Sequence, residues 1–339
     1  MSKRNSSVIL KDGFKKLKDL QNIFTNFKND LNRLNKKSYV IAVSGGPDSL
    51  ALAALTKAYA CERSVKFHYV LINHNIRKNS ALEAQKVKNL LKKKLINLKI
   101  ISNKKNISKN IQGQARNIRY EKLFNYCKAK KINTLLTAHN LEDQVETFFI
   151  RLSRGSGLTG LSAMKSLTKL KNNVKLYRPL LSVKKKFLIK ISKIYFGKYF
   201  IDPSNINQKY LRTKIRNLQK PLKKSGIEYD QIIKSINNLA SSRTTLDLYF
   251  NGIFKELIKK SREEILIDLK KFNNLNNELK IRVINQSIKK LKKNYYDPRA
   301  KKVVNLIKSL KNKQIRKSTL GGCLFVKKKD HLSLKIEKT

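Results

Sequence analysis

The residues with the clearest chemical potential form a glycine-containing loop near the start of the chain. In order they are Ser44, Gly45, Gly46, Pro47, Asp48 and Ser49. An apolar run, 39–43, precedes the loop and an Ala- and Leu-rich run, 50–55, follows it, so the pattern predicts strand, turn and helix. Loops of this kind bind phosphate through backbone N–H groups at the start of the helix. The aspartate would repel a phosphate unless a divalent cation lay between them, so we expect a site for a nucleotide with Mg²⁺.

This loop differs from the phosphate loop of kinases and GTPases. That motif, GxxxxGK[ST], places a Lys beside the phosphates, whereas residues 44–49 contain none. The two glycines instead allow a tight turn that leaves N–H groups free for an anion, and Pro47 suits the first helical turn.

A second motif occupies residues 137–147 and also joins a strand to a helix. His139 stands at the strand exit, where an imidazole can bond phosphate or transfer a proton. Asp143 falls in the first turn of the helix, a position that acidic residues favour in any helix. Paired with Asp48 on a neighbouring loop, Asp143 would complete a two-carboxylate site for Mg²⁺.

Three pairs of arginines are spaced so that both members can act together. They are Arg116 with Arg119, Arg151 with Arg154, and Arg212 with Arg216. Residues three or four apart share a helix face, and guanidinium groups match phosphate oxygens. Contact with RNA phosphates and exposure to water are both compatible with this spacing.

The first part of the chain alternates between strand and helix patterns. After an amphipathic helix within 1–36, which includes Phe14 and Leu17, the predicted strands and helices are 39–43, 48–60, 65–72, 80–94, 97–101, 112–130, 133–138 and 142–153. Ser80 and Glu83 have the spacing of a capping box. This alternation predicts an α/β doubly wound parallel sheet, in which ligands bind beyond the carboxyl ends of the strands. We therefore expect the loops 44–49, 73–79 and 139–143 to converge on one crevice.

The pattern changes beyond about residue 220. Helical periodicity dominates 228–262 and 276–311, and strand-like alternation is confined to 323–326 and 332–336. The expected organisation is an N-terminal extension, 1–36, an α/β nucleotide-binding domain, 37–220, and a mostly helical domain with a small β end, 221–339. A length of 339 residues fits two domains.

The composition is strongly basic, with 77 Lys and Arg against 22 Asp and Glu and a formal net charge of +55. Such a surface favours polyanions such as nucleic acid, although a lysine-rich coding bias gives the same composition without a partner.

The three cysteines are far apart and form no CxxC pair, which disfavours a zinc site or disulfide framework and fits a reducing compartment. Without a secretory signal or a long apolar segment, the sequence predicts a cytoplasmic protein with no membrane partner.

The motifs together resemble those of a known family. SGGPDS resembles the PP-loop of the ATP pyrophosphatase superfamily, whose enzymes split ATP into AMP and pyrophosphate. The whole series resembles the tRNA(Ile)-lysidine synthetases in order and spacing, and its further members are NHNIR at 73–77, ARNIRY at 115–120, AHNLEDQVET at 138–147, RLSRGSGLTGL at 151–161 and RPLL at 178–181. The likeness is strong over about 38–220, whereas 228–339 resembles the family's helical tRNA-binding domain only in character.

The resemblance implies a two-step reaction on a tRNA(Ile) with a CAU anticodon. ATP adenylylates the wobble cytidine with release of pyrophosphate, and free L-lysine then displaces AMP to give lysidine. Within the site, 44–49 would bind pyrophosphate, and Asp48 and Asp143 would hold Mg²⁺. The implied catalytic residues are Asp48, Arg119, His139 and Asp143. The candidates for tRNA contact are Arg116, Arg151, Arg154, Arg212 and Arg216.

Two positions depart from the family pattern. Asn140 stands where a second His is usual, and Thr213 stands where an Asn often follows the arginine, so the role of Arg212 and Arg216 is open. One alternative is another PP-loop tRNA-modifying enzyme such as a 2-thiolase, which would need paired cysteines or an iron–sulfur cluster. A second alternative is a non-catalytic basic RNA-binding protein. The chain resembles the short form of the family, and its sequence leaves the oligomeric state open.

Overall fold

The computed structural model describes residues 18–77, 79–104, 107, 111–170, 173–201, 210–261, 263–292, 300–311 and 317–337. The chain forms two compact units, 1–240 and 241–339. The boundary lies within one long helix, whereas the sequence pattern changes near residue 220. Phe14 and Leu17, expected in the first amphipathic helix, lie outside the described residues.

The first unit alternates between strands and helices, as the sequence predicts. Its elements are α1 Lys18–Leu34, β1 Ser38–Val43, α2 Pro47–Glu62, β2 Lys66–Asn73, α3 Ser80–Lys92, β3 Leu98–Ser102, α4 Ile111–Ala129, β4 Thr134–Leu136, α5 Leu141–Leu152, α6 Leu158–Leu161, β5 Leu167–Lys169, β6 Lys175–Tyr177, α7 Lys185–Phe196, α8 Leu211–Asn217, α9 Gln219–Lys224 and the first part of α10 Tyr229–Leu257.

The six strands form one sheet in the order β3-β2-β1-β4-β6-β5. The first five strands of this order run parallel, and β5 pairs antiparallel with β6 at the edge. From β1 the chain winds through β2 and β3 on one side, then crosses back to β4 and β6 on the other. The doubly wound α/β fold is therefore confirmed, and its topological switch point lies between the carboxyl ends of β1 and β4.

Helix α2 is buried on all its faces in the centre of this unit. Every residue from 50 to 55 is fully shielded from solvent, because α2 packs in one core with β1, α1 and α7. A helix surrounded by other elements is apolar all round rather than amphipathic, which explains the unbroken Ala and Leu run. The burial fixes the start of α2, and hence the loop before it, against the sheet.

One local expectation from the sequence is wrong. Ser80 and Glu83 do not form a capping box, because Ser80 is already the first residue of α3 and Asn79 occupies the cap without a side-chain hydrogen bond. Glu83 instead pairs with Arg77, with 3.1 Å between Arg77 Nη2 and Glu83 Oε2. The Glu83 carboxylate thus pairs with the Arg77 guanidinium rather than with the backbone N–H that a capping box would require.

The second unit combines helices with an antiparallel sheet. It contains the end of α10, followed by β7 Ile258–Lys260, β8 Glu264–Asp268, α11 Leu269–Asn273, α12 Asn277–Leu291, α13 Ala300–Lys311, β9 Lys317–Leu320, β10 Cys323–Lys327 and β11 His331–Ile336. The sheet order is β7-β8-β11-β10-β9. The sequence predicted β10 and β11 but missed the other three strands, which are short and rich in charge. Their pairing partners, rather than their own alternation, make them strands.

Candidate active site

The loop 44–49 is closed on itself by one hydroxyl group. Ser49 Oγ accepts hydrogen bonds from the backbone N–H groups of Ser44 and Gly45, both at 3.1 Å, and donates to the carbonyl of Gly46 at 3.0 Å. The sequence predicted free N–H groups at this turn, whereas the structure uses two of them inside the loop. An anion that binds through those two groups must therefore replace the contacts of Ser49.

Gly45 is required both by its backbone and by its neighbours. Its φ is +85°, and a Cβ atom there would lie 2.5 Å from Val87 Cγ2 on α3. Its carbonyl accepts a hydrogen bond of 3.0 Å from the N–H of Phe200. Gly46 caps α2 and Pro47 is the first residue of that helix, as expected. The loop is thus held between α3 and the segment that follows α7.

Asp48, in the first turn of α2, carries a carboxylate that the protein partly removes from water. The pKa of this carboxyl is raised to about 6, chiefly by burial and also by the charges of Asp143 and Glu142, against the opposing effects of Lys185 and a hydrogen bond with Asn140. Among the residues that the structure describes, Asp48 Oδ1 is buried and has no hydrogen-bond partner. Such an oxygen is a candidate ligand for a cation.

Asp143 serves two structural purposes at the start of α5. It forms a capping box with Asn140, in which Asn140 Oδ1 accepts from the N–H of Asp143 at 2.9 Å and Asp143 Oδ2 accepts from the N–H of Asn140 at 3.1 Å. Its other oxygen, Oδ1, lies 2.9 Å from Arg212 Nη2. The expected position at the helix N-terminus is thus observed, together with an ion pair to Arg212, and the binding of Mg²⁺ by Asp143 stays a prediction.

Glu146, one turn later on α5, anchors both arginines of α8. Its carboxylate accepts from Arg212 Nε and Arg216 Nε, each at 2.5 Å, and its side chain is only 4% exposed. Arg212 and Arg216 are thus paired with protein carboxylates, and about one third of each side chain stays exposed. Glu146 was not among the residues predicted from the sequence. Its spacing could have indicated it, because Asp143 and Glu146 share one face of α5, just as Arg212 and Arg216 share one face of α8.

His139 is a neutral imidazole among cationic groups. Its Nδ1 lies 2.9 Å from the hydroxyl of Thr137, so one ring nitrogen has a fixed partner. The pKa of His139 is lowered to about 3, chiefly by burial and also by the positive charges of four arginines. These arginines are Arg178, Arg116, Arg212 and Arg119. A neutral ring in a positive environment suits contact with an anion.

The remaining predicted arginines have different surroundings. Arg151 Nη1 donates to the carbonyls of Gly160 and Ala163 at 2.7 and 2.8 Å, and so holds the glycine-rich segment around α6 in place. Arg154 and Arg119 are exposed, and the guanidinium carbon of Arg116 lies 5.0 Å from the centre of the Tyr120 ring. Contact of Arg116, Arg151 and Arg154 with tRNA stays a prediction, as does a catalytic role for Arg119.

Arg178 is a further buried cation, which was noted from the sequence only as part of the RPLL motif and not as a site residue. Its Nη1 donates to the carbonyl of Lys165 at 2.7 Å and to the hydroxyl of Thr168 at 3.0 Å. Burial lowers the pKa of this guanidinium. The side chain ties β6 to the strand β5 at the sheet edge and adds positive charge beside His139.

Known proteins and a protein-family model are similar to this chain in sequence. Residues 17–222 match the PP-loop domain of the ATP_bind_3 family model. A tRNA(Ile)-lysidine synthase of Wolbachia pipientis wMel is 33% identical over 310 residues, which cover 90% of this chain and 72% of that protein. One from Rickettsia typhi is 31% identical over 318 residues, covering 91% and 71%.

The chain belongs to the tRNA(Ile)-lysidine synthase family. The family's PP-loop domain, as matched here, includes every site residue from Ser44 to Arg216. Among solved structures, the U34-tRNA thiolase of Methanococcus maripaludis has a TM-score of 0.56 at 20% identity and covers 65% of this chain and 78% of its own, which is a likeness of fold alone. Over the described residues, no helix is long and apolar enough to cross a bilayer.

Proposed function

We propose that this chain is an ATP-dependent ligase that attaches lysine to the wobble cytidine of a tRNA(Ile) with a CAU anticodon. Membership of the tRNA(Ile)-lysidine synthase family supports tRNA modification by a PP-loop enzyme that uses ATP. The observation that carries the proposal in this chain is the buried Asp48 carboxylate oxygen at the switch point of the sheet. Such crevices are where α/β sheets bind nucleotides.

The proposed chemistry consists of two displacements. In the first, the ring carbonyl oxygen of cytidine attacks the α-phosphorus of ATP, and pyrophosphate leaves. In the second, the ε-amine of free L-lysine attacks the ring carbon, and AMP leaves with the original oxygen. The first step is necessary because the carbonyl oxygen is a poor leaving group, whereas a phosphate ester is a good one.

The acidic side of the site fits Mg²⁺. Asp48 Oδ1 is a buried oxygen with no partner in the described chain, and Asp143, whose oxygens each already accept one hydrogen bond, retains further lone pairs. We assign Asp48 and Asp143 as the residues that would hold the ion. When bound, Mg²⁺ supplies positive charge that offsets the charge of the phosphates.

We assign the basic side of the site to the transferred phosphate and its leaving group. Arg119 and neutral His139 are proposed to contact the phosphoryl oxygens, where fixed donors stabilise developing negative charge. Loop 44–49 is proposed to hold the pyrophosphate. Lysine must react as a neutral amine, although its ordinary pKa is about 10.4, so a carboxylate of the cluster must accept its proton.

We propose 37–220 as the catalytic domain and 221–339 as the tRNA-binding domain, acting in the cytoplasm. The second region is suited to a polyanion because residues 300–329 include ten Lys and Arg and no Asp or Glu. Arg116, Arg151, Arg154, Arg212 and Arg216 stay candidates for tRNA contact, directly or through the segments they hold.

Mass spectrometry of a tRNA(Ile) transcript tests the proposal. The transcript is incubated with the protein, ATP, Mg²⁺ and isotope-labelled lysine, and pyrophosphate is measured in parallel with and without lysine. We expect one labelled lysine on the wobble cytidine, and AMP rather than ADP as the nucleotide product. Modification that ignores lysine would favour a thiolase, and tRNA binding without pyrophosphate release would favour a non-catalytic RNA-binding protein.

A further inference from the structure

Three consecutive lysines at the start of α7 have three different environments. Lys184 Nζ pairs with Asp230 Oδ2 at 2.7 Å. Lys186 is exposed, and its ammonium lies 5.0 Å from the centre of the Phe187 ring. Lys185 is half-buried, and its positive charge acts on the carboxylates of Asp48 and Glu142. Of these three neighbouring lysines, only Lys185 thus has a charge that acts on carboxylates of the candidate site.

The backbone fixes Lys185 beside the start of α5. Both oxygens of Glu142 accept hydrogen bonds from the N–H of Lys185, at 3.0 and 2.9 Å. Next to this contact, the N–H of Leu141 donates to the carbonyl of Val183 at 3.1 Å. The first turns of α5 and α7 are thus joined, and the side chain of Lys185 starts from an anchored position.

The far end of the same segment contacts the phosphate loop. The chain leaves α7 at Phe196 and returns to the loop, where the N–H of Phe200 donates to the carbonyl of Gly45. Helices α7 and α2 also share one hydrophobic core. The segment 183–200 is therefore tied at one end to the start of α5 and at the other to loop 44–49, which fixes the backbone position of Lys185.

The charges that act on Asp48 indicate a function for Lys185. The charges of Asp143 and Glu142 act against ionisation of Asp48, and of the side chains that act on Asp48 the charge of Lys185 does most to favour the ionised form. The loop itself has no lysine, unlike the kinase phosphate loop, in which a lysine binds the terminal phosphates. A cation delivered from α7 would occupy the equivalent chemical position.

We propose that Lys185 is a phosphate-binding residue that supplies the ammonium group missing from loop 44–49. Its ligand is the pyrophosphate portion of ATP, and it shares that group with the cation held by Asp48. This inference rests on the proposed function, since it requires ATP to bind at this loop. Lys184 and Lys186 have no part in the contact.

The test compares three methionine variants of adjacent lysines: Lys185→Met, Lys184→Met and Lys186→Met, with Lys185→Arg as the conservative variant. Binding of ATP and of inorganic pyrophosphate with Mg²⁺ is measured by calorimetry, without tRNA or lysine. We expect Lys185→Met to weaken both at least about tenfold, as loss of a charged hydrogen bond does. Lys185→Arg should restore most of the affinity, and the two neighbouring variants should match the wild type.

The Glu142 contact uses the backbone N–H of Lys185, so Lys185→Met should leave the fold intact, and its melting temperature checks this. Equal affinities for wild type and Lys185→Met would overturn the assignment while leaving the proposed function standing. A wild-type protein that binds neither ATP nor pyrophosphate would instead remove the proposed function, and this inference with it.

Discussion

At the scale of single residues, the site depends on charges that the fold holds in unfavourable surroundings. Asp48 keeps a carboxylate oxygen buried with no partner among the described residues, and His139 stays neutral among arginines. Proteins rarely retain such groups for stability alone, because each costs free energy when the site contains no ligand. Both residues were predicted from motif position, but their burial and pKa shifts depend on contacts between distant segments.

Asp48→Asn should abolish pyrophosphate release while leaving tRNA binding intact. The amide keeps the shape of the side chain but removes the charge, so we expect turnover to fall roughly a hundredfold or more. Pyrophosphate release and tRNA filter binding measure the two properties separately. Asp230→Asn, which changes an exposed carboxylate paired with Lys184, is the matched control. Wild-type turnover in Asp48→Asn would exclude Asp48 from the chemistry.

His139 should make the protein less stable as the pH falls below 6.5. The unfolded chain takes up a proton near the ordinary pKa of 6.5, whereas the folded protein resists protonation until about pH 3. The free energy of unfolding contributed by this residue is therefore present above pH 6.5, and at pH 5.5 about 1 kcal/mol of it should be lost.

Urea unfolding of the wild type and His139→Asn at pH 7.5, 6.5 and 5.5 measures this contribution. The asparagine removes the titrating group, and comparison at each pH cancels the effect of other ionisable residues. The difference between the two proteins should shift in favour of the variant as the pH falls. A difference that is constant over this range would mean that His139 titrates normally in the folded protein.

At the scale of elements, two contacts position the site: the packing of the phosphate loop on α3, and the docking of α8 on α5. Each joins segments that are far apart in the sequence. Each also gives a stability prediction with a matched control.

Gly45→Ala should distort the phosphate loop. The backbone is left-handed at this position, and the new Cβ would meet Val87, so we expect a loss of about 1–3 kcal/mol in stability. Nucleotide affinity should fall with it. Gly157→Ala is the control, because its φ is −76° and nothing lies within 4 Å of the added atom. Thermal unfolding and ATP binding test both variants, and equal behaviour of the two would contradict a shape requirement at Gly45.

Glu146→Gln should weaken the attachment of α8. The substitution leaves Arg212 and Arg216 without the carboxylate that both contact, and breaking a buried ion pair costs roughly 3–5 kcal/mol. Because the arginines are about one third exposed, we expect a smaller loss of about 2 kcal/mol. Chemical unfolding measures it, with the exposed Glu121→Gln as control. A loss no larger than that of the control would show that α8 is held by other contacts.

The sequence predicted the strands and helices up to about residue 153 closely, because their signals are local, but it did not predict the elements between 158 and 224. The strand expected at 65–72 is Lys66–Asn73, and the helix expected at 112–130 is Ile111–Ala129. The features it missed are long-range: Glu146 meets Arg212 across 66 positions, and β8 owes its place to pairing with β11. Spacing within one helix shows which residues share a face, but it cannot show what that face meets.

At the scale of the whole molecule, the positive charge is spread evenly. Residues 241–339 contain 26 Lys and Arg against 9 Asp and Glu, and so hold +17 of the total +55. Both units thus carry about one net positive charge per six residues. An even distribution is what a lysine-rich composition produces, and it also suits an extended polyanion that contacts both units.

Salt dependence separates these two explanations. If the lysines contact tRNA phosphates, raising the potassium chloride concentration from 50 to 200 mM should weaken tRNA binding by roughly a hundredfold or more, because released counterions drive association. Filter binding across this range gives the slope, and thermal unfolding in the same buffers verifies that the protein stays folded. A nearly flat binding profile would assign the excess charge to composition alone.

The strand order also has a consequence for synthesis of the protein on the ribosome. The crevice lies between β1 and β4, which pair only after β2 and β3 have been made, and Asp143 acquires its arginine only once α8 has emerged. Contacts of such wide sequence separation form late in folding. A truncated product that ends before α8 therefore lacks the arginine that pairs with Asp143, and the charged cluster around Glu146 stays incomplete.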